Sequence, residues 1–153
     1  MKTEKIIEVA SKEVGYTESP VNSNKTKFGK WFGFNGVAWC GMFVSWVYSM
    51  AGCALGNIGF ANGFAGCQTA VAHFIATNQV TINPVPGDIV FFDWNGDGRY
   101  DHTGIFLRGI DKQNFKTIEG NTSLSNQSNG GCVMLRTRNY KVAIFVHPRV
   151  LDM

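Results

Sequence analysis

Charge is scarce in this sequence. Asp, Glu, Lys and Arg make up 16% of its 153 residues, and the formal net charge is +3. Lys and Arg are scattered rather than gathered on one stretch, which argues against a nucleic-acid partner. No apolar run approaches the roughly 18 residues of a membrane span. Met1–Glu8 lacks the apolar core of a signal peptide, so synthesis in the cytoplasm is expected, with no membrane partner. The four cysteines, Cys40, Cys53, Cys67 and Cys132, match no zinc spacing and contain no C-x-x-C, which argues against a zinc module and a thiol oxidoreductase. All four read as reduced, with Cys53, Cys67 and Cys132 as packing residues. There is no internal repeat and no linker, so residues 1–153 read as one domain, expected to be a monomer.

Hydrophobic residues (44%) and 18 glycines are what the chain does have. Residues 3–14 read as an amphipathic helix with Ile6, Ala10 and Val14 on one face, ended by Gly15. Tyr16 to Gly36 reads as a polar loop. Trp39-Cys40-Gly41-Met42-Phe43-Val44-Ser45-Trp46-Val47 opens a run apolar to Ala51, the mark of a buried helix. Residues 67–78 read as a second helix with Val71, Phe74 and Ile75 inward. From Pro84 the period changes. Strands are expected at 88–92, 102–107, 115–119, 132–138 and 142–147, separated by Asn-Gly, Asp-Gly and Ser/Asn/Gly turns. Helices followed by a meander predict an α+β fold, with the N-terminal helices packed on a single antiparallel sheet.

Cys40 falls at the first turn of its helix. Unpaired N–H groups and the helix dipole there favour thiolate over thiol, which suits a nucleophile. A thiol nucleophile needs a base, and the base an orienting group. His102 opens a strand, and Glu119 closes the neighbouring strand of the same hairpin. Glu119 can therefore accept from one imidazole nitrogen while the other faces Cys40. Asn121 is placed to orient the same ring or to bind an oxyanion. The loop before His102, Asp93-Trp94-Asn95-Gly96-Asp97-Gly98-Arg99-Tyr100-Asp101, has the D-x-N-x-D-G start of a calcium loop. The predicted ligands are Asp93, Asn95, Asp97, the Arg99 carbonyl and Asp101. The EF-hand's closing Glu is missing, since Gly104 stands at its position.

An ordered set of motifs resembles the CHAP domain, the cysteine- and histidine-dependent amidohydrolase/peptidase. These are Asn24–Gly29, Trp39-Cys40 with Phe43–Trp46, Pro86–Phe92, Asp101–Ile105 and Glu119–Thr122. The resemblance runs over roughly residues 5–147 and implies a papain-like (CHAP/NlpC-type) fold. It implies a hydrolase of bacterial peptidoglycan, such as a phage endolysin or autolysin catalytic domain. Cys40 would be nucleophile, His102 base and then acid, Glu119 the orienting carboxylate and Asn121 an accessory group. Trp39 and Trp94 are expected to contact substrate. Action at the wall is expected after release from the host cytoplasm, or from a virion. Endolysins often add a wall-binding domain; its absence here fits a truncated chain or a stand-alone hydrolase. The alternative is a catalytically dead wall-binding module that keeps the groove. The intact Cys40, His102 and Glu119 set argues against it.

Overall fold

Four helices form where apolar spacing and caps allow them. The computed structural model describes residues 1–153. Helix α1 (Lys2–Ser11) buries Ile6 and Ala10. The chain has left the helix by Gly15, in the left-handed region at φ +97°, and Val14 is exposed instead of facing the core. Helix α2 (Lys27–Phe32) lies inside the expected loop. Its Thr26 cap accepts the Gly29 N–H at 2.9 Å, and Gly33 ends it at φ +93°. Six residues are too few for a helical period to show. Helix α3 (Cys40–Met50) is apolar nearly all round and buries Cys40 through Ser45, with Val47 and Tyr48. Helix α4 (Cys67–Ala76) buries Val71 and Phe74, but Ile75 turns outward.

Six strands follow: β1 (Val80–Thr81), β2 (Ile89–Phe92), β3 (His102–Gly109), β4 (Asn114–Thr122), β5 (Cys132–Asn139) and β6 (Ala143–Val146). They make one antiparallel sheet in the order β1-β6-β2-β3-β4-β5. The expected helices are present and β2-β3-β4-β5 run as the expected meander, but β6 departs from it, crossing the sheet to pair with β2 instead of β5. The two-residue β1 was too short to read.

Both faces of the sheet are covered. On one, Ile89, Phe91, Ile105, Ile118 and Val146 join the main core with α1, α3 and α4. The alternate residues Val90, Phe92, Phe106, Phe115 and Phe145 form a second, smaller aromatic cluster. This is the period-2 pattern of a strand buried on both sides. Each such side chain contributes about 1.5–3 kcal/mol on burial. The start of α3 therefore meets the sheet where β3 begins and β4 ends.

One polar clamp ties β6 to the rest. The His147 ring lies between Asp88 (Nδ1 to Oδ1, 2.6 Å) and Asp152 (Nε2 to Oδ1, 3.0 Å). Partial burial pushes the His147 pKa down, but the bonds to Asp152 and Asp88 more than reverse this, so it lies above 6.5. A raised folded pKa means that the clamp contributes fully below 6.5 and fades as pH rises through the raised value. Burial pushes Asp88 up, while the Val85 N–H and His147 pull it back. Thermal melts of wild type and His147→Ala should converge as pH is raised from 6 towards alkaline values. Melting curves that stay a constant distance apart would remove the clamp's pH dependence.

Candidate active site

Cys40 is the first residue of α3, directly after the N-cap Trp39. First-turn N–H groups have no partner within a helix, and that of Gly41 interacts with the Cys40 sulfur. Cys40 is 5% exposed. The Trp39 indole is fully buried: it donates to Glu18 Oε1 at 3.1 Å and stacks on Phe28 at 5.5 Å. This corrects the expectation that Trp39 contacts substrate. It is a wedge that fixes where α3 starts.

His102 opens β3 opposite Phe92. Continuing the β3–β4 register one position past Ile105↔Ile118 sets Gly104 opposite Glu119, with His102 diagonal to Glu119 on the same face. A long side chain can span that diagonal. Gly104 leaves the room: a Cβ there would lie 2.5 Å from Glu119 Cγ. Glu119 Oε1 accordingly meets His102 Nε2 at 2.9 Å, and both residues are fully buried. His102 Nδ1 is buried and has no hydrogen-bond partner. It is the nitrogen left for the thiol.

Glu119 is held on every side. Arg138 donates to both of its oxygens, Nε to Oε2 at 2.9 Å and Nη2 to Oε1 at 2.5 Å, and the Thr117 hydroxyl donates to Oε2 at 2.5 Å. Burial raises the Glu119 pKa, but Arg138 and His102 outweigh it and hold the carboxyl at about 2. Burial likewise pushes His102 down, but Cys40 and Glu119 prevail and raise it to about 9. The Cys67 thiol is the strongest influence drawing Cys40 well below the usual thiol range; burial opposes it and His102 adds to it. These shifts favour the charged forms, thiolate, imidazolium and carboxylate. No Cys40–His102 hydrogen bond is closed in this structure, as is common for catalytic contacts without substrate.

Sequence reasoning missed two residues. Arg138 reads from the sequence only as the last residue of an expected strand; its pairing with Phe115 puts it on the face of Glu119. Cys67 reads as a packing residue, yet its Sγ lies 4.0 Å from that of Cys40. Asn121 is also corrected. It has a left-handed backbone at φ +58°. Its amide accepts from the Gly131 N–H and donates to Asn129, each at 3.0 Å. It staples the β4–β5 loop instead of orienting His102. Trp94 is half-buried, stacked on Phe92 at 4.8 Å and near the His102 ring at 6.1 Å, with its N–H given to Ser128 at 2.7 Å. It roofs the His102–Glu119 pair. A cavity of about 800 Å³ is lined by Met1 to Glu4, Val85, Pro86 and His147 among others, and holds none of these groups.

The loop from Asp93 to Asp101 closes on its own backbone. Asp93 accepts from the N–H groups of Gly96, Asp97 and Gly98 at 2.8–3.2 Å. Desolvation raises its pKa, and the Gly98, Asp97 and Gly96 N–H donors with the Asp97 side chain together outweigh this and lower it. Asp97 accepts from the Arg99 N–H at 3.0 Å. Asp93, Asp97 and Asp101 do not gather, and nowhere in the chain do three His, Cys, Asp or Glu side chains converge as for a metal. A calcium shell of Asp93, Asn95, Asp97, the Arg99 carbonyl and Asp101 is a proposal, and the mechanism uses no metal cation.

Two outcomes follow from this geometry. Gly104→Ala should push Glu119 off His102 and lower turnover by about 10²-fold, the scale of a 1 Å misplacement, with the circular dichroism spectrum unchanged; full turnover would mean that Glu119 has slack. Calorimetric titration of calcium into chelator-treated protein tests that proposal: a flat isotherm with an unmoved melting temperature would leave the loop as a hairpin turn. A saturable isotherm that Asp97→Ala abolishes would show that the carboxylates regroup around the ion.

No curated protein matches the chain. The model of the CHAP domain family matches residues 32–121, which include Cys40, His102, Glu119 and Asn121. The helices on one antiparallel sheet agree with the papain-like fold of that family. CHAP domains are typically cysteine- and histidine-dependent amidohydrolases or peptidases acting on peptidoglycan. With more than half of its length covered, the chain belongs to the CHAP domain family.

Proposed function

We propose that this protein hydrolyses an amide or peptide bond of bacterial peptidoglycan through a Cys40 acyl-enzyme. The observation that supports it most is His102: Nε2 is fixed by Glu119 while the buried Nδ1 is unpartnered and left for Cys40. In the first step the Cys40 thiolate attacks the carbonyl carbon. The unpaired N–H groups at the start of α3 face the developing oxyanion. The C–N bond breaks as the His102 imidazolium gives its proton to the leaving amine. Neutral His102 then takes a proton from water, which attacks the thioester and releases Cys40. Glu119, clamped by Arg138, keeps the ring oriented and stabilises its charge.

Both N-acetylmuramoyl-L-alanine amidase and peptide-bridge endopeptidase chemistry suit this machinery. A lytic setting, as a monomeric phage endolysin domain acting on the wall after release or from a virion, rests on the family alone. No helix here is long and apolar enough to cross a membrane. The alternative of an inert wall-binding module is disfavoured by the intact thiolate–imidazolium–carboxylate set. Trp94 beside His102 is kept as a substrate contact in this proposal.

Cys40→Ala should abolish release of soluble fragments from purified peptidoglycan while the fold survives; retained lysis would sink the mechanism. Mass spectrometry of the wild-type digest identifies the bond. Because the imidazolium is needed for the leaving amine, lysis should fall as pH rises through about 9. Glu119→Gln removes one of the two partners that raise His102. It should cut turnover by on the order of 10²-fold and move the alkaline limb to lower pH. An unmoved limb would show that Glu119 does not set the His102 charge.

A further inference from the structure

Outside the His102–Glu119–Arg138 chain, the site holds one more reactive group. The sulfurs of Cys40 and Cys67 are 4.0 Å apart, both cysteines are buried, and each is the first residue of its helix. The approach is built in. The Ser45 hydroxyl, on α3, lies 2.9 Å from the Gly41 carbonyl and 3.0 Å from the Phe64 carbonyl, and accepts the Phe64 N–H at 3.1 Å. Gly41 carries no Cβ where one would lie 2.7 Å from the Ala65 carbonyl oxygen. The segment leading into α4 is thereby docked on the first turn of α3. A disulfide needs a sulfur separation of about 2.05 Å, so the thiols have about 2 Å to close.

We propose that Cys67 is a resolving cysteine, which converts the oxidised form of Cys40 into a reversible Cys40–Cys67 disulfide. The inference rests on Cys40 being the reactive thiolate of the proposed hydrolase. The oxidant is hydrogen peroxide. The Cys40 thiolate attacks one peroxide oxygen, the O–O bond breaks, and the departing hydroxide takes the His102 proton to leave as water. Cys40 is then a sulfenic acid. The Cys67 sulfur attacks the Cys40 sulfur, an S–S bond forms, the S–O bond breaks, and hydroxide with the Cys67 proton makes a second water. Two thiols are oxidised and one hydrogen peroxide is reduced.

The two cysteines differ in readiness for these roles. While Cys40 is a thiolate, its hydrogen bond, together with burial, keeps Cys67 protonated, so Cys40 is oxidised first. The neutral sulfenic acid removes that charge and frees Cys67 to attack. The disulfide has no thiolate, so oxidised enzyme is inactive and a dithiol reductant restores it. Without Cys67 the sulfenic acid proceeds to sulfinic and sulfonic acids, which dithiols do not reverse.

The test uses the full chain with hydrogen peroxide as probe. Oxidised wild type should lose wall lysis and yield, on non-reducing peptide mapping, a Cys40–Cys67 linked pair lighter by two hydrogens. Dithiothreitol should return lysis to its starting rate. Cys67→Ser, scored against its own untreated rate, should be inactivated by the same treatment without recovery, and Cys40 should carry added oxygens. Cys132→Ser, on β5 outside the pair, should respond as wild type. If Cys40→Ala abolishes lysis but oxidised wild type shows no linked peptide and no recovery, the resolving role is overturned while the hydrolase reading stands. If the linked peptide forms but Cys40→Ala still lyses walls, the hydrolase reading fails instead, and with it the proposed switch.

Discussion

The structure turns on a carboxylate taken wholly out of water. Glu119 has no exposure, and burying such a group alone costs several kcal/mol. It is tolerated because Arg138, Thr117 and His102 supply donors to its oxygens. Removing one partner of such a buried pair typically costs about 3–5 kcal/mol, since the other charge is stranded. The geometry is also the chemistry. The contacts that make Glu119 affordable in the interior hold His102 in one orientation and favour its protonated form.

Around that node, packing leaves little freedom. Phe92, Trp94 and the Arg138 guanidinium layer over one another, with the guanidinium carbon 5.3 Å from the Phe92 ring and 4.8 Å from Trp94. Arg stacks in this way where Lys would not, and it also makes the two-pronged contact with the carboxylate. On the helix side, Trp39, Phe28 and Glu18 set the start of α3, and with it the position of the Cys40 sulfur. The nucleophile and the base come from different layers, and each is fixed by its own aromatic cluster.

The sequence carried the architecture because its signals were local. The apolar run after Cys40, the change of period at Pro84 and the Asn-Gly and Asp-Gly turns each depend on neighbours in the chain. His102 and Glu119 could be paired on paper because one hairpin links them. Arg138 could not, since its role depends on the β4–β5 register and on a partner 19 positions away. Cys67 was hidden for a similar reason: only the docking of two helix starts brings it to Cys40. Asn121 and Trp39 misled because a polar residue after Glu119 and an aromatic beside a nucleophile look functional, whereas a left-handed turn and a buried wedge need the same residue types. In the Asp93–Asp101 loop, spacing alone cannot tell carboxylates aimed at a cation from one aimed at backbone N–H groups.

The family match ends at residue 121, but Arg138 and strands β5 and β6 lie beyond it. A protein engineer who grafted only the matched segment onto a wall-binding domain would transplant all four polar residues named by resemblance and leave their counterion behind. Modular exchange in this fold therefore has to be cut by charge balance as well as by motif, with the seam placed after Asp152, so that the His147 clamp on Asp88 is kept too.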